Sequence, residues 1–262
     1  MSSYEHLLIE TRNQVRTITL NRPEKLNALG AGMPDQLKLA VKEAIADDDV
    51  RVIVITGSGR AFSAGGDIRG WEPLFGNPMA LKGYIQDRHE IVLDLQRCAK
   101  PTIAAVNGDA VGGGCGLALS CDIRFAAPTA RLGFSFARLG LVPDWGSTYY
   151  LPRLVGTAKA CELVFSAELI DGVEAERIGL VNRVYPAEEL LERTQAFAEK
   201  LAGNGPIGIG LAKQTIYRSW HLDLAAELDG EENNQMVTFQ TEDVQEGIRA
   251  FFEKRKPVFK RR

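Results

Sequence analysis

Thr102-Ile-Ala-Ala-Val-Asn-Gly-Asp-Ala-Val-Gly-Gly-Gly-Cys-Gly-Leu-Ala-Leu-Ser-Cys121 is the stretch on which the fold of this chain turns. It opens as a short apolar strand, Thr102 to Val106, and turns at Asn107-Gly108. It then passes through Gly112-Gly113-Gly114 into a helical run of small apolar residues, Leu117 to Leu119. Consecutive glycines are costly, because glycine loses more backbone freedom on folding than any other residue. Without side chains, however, they expose backbone N–H groups that a ligand can touch directly. At a helix start those groups are unpaired and stand at the positive end of the helix dipole. Two readings fit this stretch alone: a cradle for fixed or developing negative charge, or a tight strand-to-helix turn packed on neighbouring backbone.

The pattern is anticipated upstream. Val50 to Thr56 is a near-continuous β-branched run, read as a strand buried on both faces. It feeds a second glycine loop, Gly57-Ser-Gly-Arg-Ala-Phe-Ser-Ala-Gly-Gly-Asp67. Two buried strands about fifty residues apart, each feeding a glycine loop, predict repeated units wound in one direction. Around them, Val15 to Leu20 alternates as a strand and stops at Asn21-Arg22-Pro23. A helix is predicted over Pro34 to Ala46, with Leu37, Val41, Ala44 and Ile45 on one face, and another over Ile85 to Cys98, ended by Pro101. Gly70 to Met79, with Trp71, Phe75 and two prolines, reads as an irregular loop over a pocket.

Downstream, Asp122 to Ala126 reads as a strand, Arg131 to Phe136 as a short extended piece and Leu141 to Thr148 as a turn. Helices follow at Thr157 to Ser166 and Val173 to Ile178, then a last strand at Val181 to Val184. The remainder reads as helices only: Ala187 to Ala202, Pro206 to Tyr217, Asp223 to Val237 and Asp243 to Lys254, the last capped by Thr241. The expected architecture is an α/β core over residues 1–200 and a helical region over 201–262.

Bulk properties narrow the function. The 262 residues are 45% apolar and 25% charged, as in an ordinary globular protein. A net charge of −3 argues against nucleic-acid binding as the main role, and the basic end, Lys254 to Arg262, reads as a solvated terminus. Cys98, Cys115, Cys121 and Cys161 form no metal-ligand spacing and read as thiols in a reducing compartment. Met1 to Thr11 lacks the apolar core of a signal peptide, and no apolar run approaches the ~20 residues that span a bilayer. A cytoplasmic location is expected. Dinucleotide, P-loop, nucleophile-elbow and zinc-helix motifs are all missing, so no metal or redox cofactor is implied. What remains are two glycine-rich loops, Gly65-Gly66-Asp67 and Gly112-Gly113-Gly114, with isolated acids. Two N–H groups aimed at one oxygen would form an oxyanion hole.

Asn27-Ala-Leu, Ala61-Phe-Ser-Ala-Gly-Gly-Asp67, Ala105-Val-Asn-Gly-Asp-Ala-Val-Gly-Gly-Gly114 and Phe252-Glu-Lys-Arg-Lys256 together resemble the enoyl-CoA hydratase/isomerase (crotonase) superfamily, over nearly the whole chain. The resemblance implies a spiral of ββα turns, a C-terminal helical region for subunit contact, and trimers or paired trimers. It implies a coenzyme A thioester as substrate, with no separate cofactor, its carbonyl oxygen held by the N–H groups of Gly66 and Gly113. It also implies that Lys25, Asn27, Ala28, Ala64, Gly65, Asp67, Ile68, Phe136 and Trp145 bind the substrate and its CoA moiety.

The hydratases of this superfamily use two glutamates, at positions that correspond to Gly116 and Phe136, and neither residue can transfer a proton. Glu90, Glu162 and Glu168 lie elsewhere and read as surface or helix residues. Leu141-Val-Pro-Asp144-Trp-Gly-Ser-Thr instead resembles the 1,2-epoxyphenylacetyl-CoA isomerase branch and its enoyl-CoA isomerase relatives, which implies Asp144 as a single acid/base. One buried carboxylate with a raised pKa suffices to carry a proton from one carbon to another. The competing structural reading has Asp144 capping the turn through Gly146-Ser147. Three alternatives stand beside isomerisation: hydration through Asp144 and water, dehalogenase-like hydrolysis through Asp144 and His89, and a non-catalytic CoA- or RNA-binding member.

Overall fold

The computed structural model describes residues 4–262, so Met1 to Ser3, part of the stretch read as lacking a signal peptide, lie outside the described residues. The chain begins with an antiparallel hairpin, β1 (Leu7–Arg12) and β2 (Val15–Leu20), turned by Asn13 and Gln14 at positive φ. β1 was not expected, because only its first residue is buried: it is an edge strand without an apolar alternation. After α1 (Met33–Ala46) come β3 (Val52–Gly57) and β4 (Ala61–Ser63), then α2 (Pro78–Arg97). The next turn of chain is β5 (Thr102–Val106), β6 (Asp109–Val111) and α3 (Gly113–Leu119). It is followed by β7 (Ile123–Ala126), β8 (Leu132–Gly133), α4 (Ser147–Val155) and α5 (Thr157–Ser166).

These turns build two sheets at once. β3, β5 and β7 enter a six-stranded sheet of order β1-β2-β3-β5-β7-β10, parallel from β2 onward, whose last strand is β10 (Arg183–Val184). β4, β6 and β8 enter a second sheet, in parallel, closed by the antiparallel β9 (Leu169–Ile170). Each ββα unit therefore gives one strand to each sheet, which is the spiral of an α/β chain with buried, non-alternating strands. β3 and β5 are buried along nearly their whole length, as their β-branched and small apolar residues require.

The remaining elements are α6 (Gly172–Arg177), α7 (Leu190–Ala202), α8 (Pro206–Arg218), α9 (Leu224–Phe239) and α10 (Glu242–Phe252). α7 packs on β2, β3, β5 and β7, so the helix that ends near residue 200 covers the large sheet. α8 is tied to the core by buried Lys213, whose Nζ donates to the carbonyls of Leu95 (2.7 Å) and Lys100 (3.0 Å) and pairs with Asp122 (2.9 Å). Thr241 caps α10 as expected, its Oγ1 accepting the Val244 N–H at 3.2 Å.

Several boundaries differ from expectation for local reasons. α2 starts seven residues before Ile85, because Asn77 caps it, its Oδ1 accepting the Ala80 N–H at 3.1 Å, with Pro78 at the first helical position. The irregular segment before it is thereby shortened and carries 3-10 turns at Ile68–Gly70 and Glu72–Leu74. Arg131 to Phe136 is extended only at β8, then tightens into a 3-10 turn, Ser135–Leu139. α4 was missed because it starts inside the expected turn and contains Pro152; its buried face of Ser147, Tyr150 and Leu151 holds it. β10 has two residues because the N–H groups of Leu180 and Val181 bond back to Ala175. No helix among the described residues is long and apolar enough to cross a membrane, and all four cysteines are free thiols.

Candidate active site

The two glycine loops meet. A Cβ on Gly65, which sits at φ +91°, would lie 2.6 Å from the Val111 carbonyl oxygen and 3.3 Å from the Gly113 nitrogen. A Cβ on Gly114 would lie 2.3 Å from the Ser63 carbonyl oxygen. The glycines serve different ends: Gly65 and Gly114 allow backbones to touch, while Gly66 and Gly113 line an open cavity of about 310 Å³. Gly113 is the first residue of α3, so its N–H has no helical carbonyl behind it. The Gly66 loop is held by neighbouring backbone, Leu29 N–H to Gly65 carbonyl at 2.7 Å and Ala64 N–H to Leu26 carbonyl at 2.9 Å.

Asp144 lies on the same cavity wall, in the turn between the 3-10 segment and α4. The turn is closed by its main chain: the Ser147 N–H donates to the Asp144 carbonyl at 3.0 Å, across Trp145 and Gly146 at φ +53° and +73°. The side chain does not cap. Its Oδ1 is buried with no hydrogen-bond partner. Burial pushes the carboxyl pKa up to about 6, opposed by the residue's own backbone N–H and, more weakly, by the charge of Arg88. Phe136, Trp71, Phe75 and Trp145 face the same space, so the acid stands among aromatic walls.

Trp145 and Ser147 fill the space beside Gly116. A Cβ added to Gly116 would lie 2.5 Å from the Trp145 Cβ and 2.9 Å from the Ser147 Oγ. The indole also closes on the second glycine loop, since a Cβ on Gly113 would be 2.9 Å from its Nε1. A non-glycine residue at φ +53° is uncommon, and for a bulky aromatic it carries strain of ~1–3 kcal/mol. The turn places the Trp145 Cβ against Gly116 and its indole against Gly113.

The other sequence-predicted residues divide. Asn27 is fully buried and its amide is used within the protein. Its Oδ1 accepts the Arg22 N–H (2.8 Å), and its Nδ2 donates to the carbonyls of Ser58 (2.9 Å) and Ala61 (2.8 Å). It clamps its own turn onto the first glycine loop rather than offering a side chain to a ligand. Ala28 and Asp67 are joined through Arg22, whose Nη1 donates to the Ala28 carbonyl at 3.1 Å and lies 3.5 Å from Asp67 Oδ2. Lys25 and Ile68 are exposed and Ala64 half-buried, on the outside of this loop pair and away from the cavity lining. His89 is exposed on α2 and is not among the cavity residues, so it is not brought to Asp144. Glu90 and Glu162 pair with surface lysines, and Glu168 is exposed.

Sequence reading passed over Tyr84 and Arg88, which α2 presents to the cavity at a spacing of one helical turn. The signal was present, but the predicted helix began at Ile85 and left Tyr84 outside it. No group of three His, Cys, Asp or Glu side chains among the described residues could hold a metal ion.

A family model described as enoyl-CoA hydratase/isomerase matches residues 10–262. A Rhizobium meliloti protein named "Probable enoyl-CoA hydratase" is 43% identical over 99% of this chain and 100% of its own length. A crotonyl-CoA hydratase of Syntrophomonas wolfei is 36% identical over 98% of each chain. The crystal structure of an enoyl-CoA hydratase from Bacillus anthracis superposes with a TM-score of 0.93 at 34% identity, covering 98% of this chain and 100% of the other.

Proposed function

Because this chain belongs to the enoyl-CoA hydratase/isomerase family, we propose that it moves the double bond of an unsaturated acyl-CoA thioester, with Asp144 as its one acid/base group. The observation that carries this reading is a single carboxylate, one oxygen of it buried without a hydrogen-bond partner, in an aromatic cavity shared with Gly66 and Gly113. The N–H groups of Gly66 and Gly113 would receive the thioester oxygen. With the oxygen so held, the Asp144 carboxylate takes a proton from C2 of a 3-enoyl thioester. The C–H bonding pair becomes a dienolate whose negative charge rests on that oxygen. The same carboxyl, now protonated, returns the proton at C4, and the double bond lies between C2 and C3. Nothing is added and nothing leaves.

The relatives' printed names favour a second reading, addition of water across a 2-enoyl thioester, and the comparisons fit it better than the first. The geometry supplies one carboxylate for it rather than two, because Trp145 occupies the room beside Gly116. Incubation of 3-enoyl- and 2-enoyl-CoA in D₂O separates the two. Isomerisation gives interconversion with deuterium at C2 and C4 and no 3-hydroxyacyl-CoA; rapid accumulation of 3-hydroxyacyl-CoA from the 2-enoyl thioester selects hydration. Exposed His89 gives the hydrolytic reading no partner for Asp144.

A homotrimer, or a pair of trimers, is part of the same proposal. The apolar side chains that the C-terminal helices leave exposed, such as Leu228, Phe239, Phe251 and Phe252, support a subunit contact there.

A further inference from the structure

Arg88 is not used by the chemistry above. Among the described residues lining the cavity, it and Asp144 carry the only charges. Its guanidinium is fixed rather than free: the Nη1 donates to the Tyr84 carbonyl at 2.6 Å, and its central carbon lies 3.4 Å from the centre of the Tyr84 ring. Tyr84 is itself pinned, its hydroxyl accepting the Trp71 Nε1–H at 3.0 Å. Yet Arg88 forms no ion pair among the described residues, and its Nε is buried with no acceptor. Buried charges in proteins are ordinarily paired, and a guanidinium offers five donors in a planar fork, of which one is engaged here. A cation held over an aromatic ring, half-buried in a wall whose one other charge, Asp144, forms no ion pair with it, is a preorganised site for an anion from outside the chain.

We infer that Arg88 receives a carboxylate at the far end of the acyl group, so that the preferred substrates are CoA thioesters of unsaturated dicarboxylic acids. The inference rests on the acyl-CoA reading of the cavity. It follows from the shared wall: a thioester oxygen at Gly66 and Gly113 leaves the acyl chain in a space whose remaining polar groups are Asp144, Tyr84 and Arg88. An apolar chain end would give the guanidinium no counter-charge, whereas a carboxylate completes its fork with charge-assisted hydrogen bonds. Asp144 cannot take that role for the substrate, since like charges repel.

The test compares 3-hexenoyl-CoA with 3-hexenedioyl-CoA, and the corresponding 2-enoyl pair, as substrates of the full-length protein. The wild type is expected to prefer the carboxyl-ended thioester in kcat/KM. Arg88→Met is expected to cut the ratio of carboxyl-ended to methyl-ended kcat/KM on the order of 10²-fold, mostly through KM, with Arg88→Lys restoring part of it. Equal loss on both thioesters in Arg88→Met would assign Arg88 to Asp144 instead and overturn the inference, as would a wild-type preference for the methyl-ended chain. Turnover of neither thioester by a folded wild type would defeat the acyl-CoA reading itself, a separate outcome.

Discussion

At residue scale the proposed chemistry rests on Asp144, whose environment has consequences for both stability and rate. Its carboxyl titrates at about 6 in the folded chain, against ~4 when unfolded. The native state binds the extra proton between those values, so this group weakens the fold as pH rises from about 4 to about 6, and the loss stays in full above. Asp144→Asn removes a buried charge and is expected to melt ~2–6 °C above wild type at pH 8, the gap closing at pH 4, in thermal scans at both values. The same variant is expected to lose activity on the order of 10²–10⁴-fold, and with it the rise of wild-type kcat/KM up to a plateau above about pH 6. Trp145 is the second residue whose role follows from its place. Gly116→Glu would drive a Cβ against the Trp145 Cβ and is expected to cost ~3 kcal/mol in urea denaturation. Adding Trp145→Gly removes that Cβ and relieves the positive φ, so the double variant is expected to lose less than the two single losses summed, by ~1–3 kcal/mol.

At the scale of elements, the site is assembled by how strands end. β3–β4 and β5–β6 deliver their glycine loops side by side because parallel neighbours in both sheets bring successive units into the same register. α2 and the turn before α4 supply the remaining walls. α8 is joined to this core by the buried Lys213, Asp122, Tyr217 and Thr102 cluster, in which Asp122 accepts from Lys213 Nζ (2.9 Å), Tyr217 hydroxyl (2.9 Å) and the Thr102 N–H (2.7 Å). Lys213→Met leaves a carboxylate with its charge uncompensated and is expected to destabilise by ~3–5 kcal/mol. Tyr217→Phe removes one neutral donor and is expected to cost ~1 kcal/mol, both read from denaturant midpoints.

At the scale of the whole molecule, the C-terminal helices are the part least satisfied by the chain itself. α8, α9 and α10 border an open groove of about 850 Å³ with Ile207, Leu211, Ile216 and Ile248 on its walls. Phe251 and Phe252 stand 79% and 77% exposed at the end of α10. Exposed aromatic and aliphatic side chains grouped in this way are the ground for the proposed subunit contact. Light scattering is expected to give three or six copies of the 28.7 kDa chain, and replacing Phe251 and Phe252 by glutamate is expected to lower that mass toward one copy.

Much of this was legible before any coordinates. β-branched runs determine buried strands and glycines determine where the backbone turns, because these depend on local sterics and on burial pattern; β3, β5 and the glycine loops stand where the sequence places them. The capped ends of α10 and the acid at position 144 are local properties too. What only the tertiary structure decided is proximity. Whether Gly66 and Gly113 share a cavity, and whether Asp144 or His89 enters it, depend on contacts between residues distant in the chain. Asn27 is spoken for by three backbone partners, two of them over thirty residues away, which no motif could show. Gly116 has no room for a side chain beside Trp145 and Ser147, and that is a fact of packing, where two atoms cannot share a volume however far apart their residues lie in sequence.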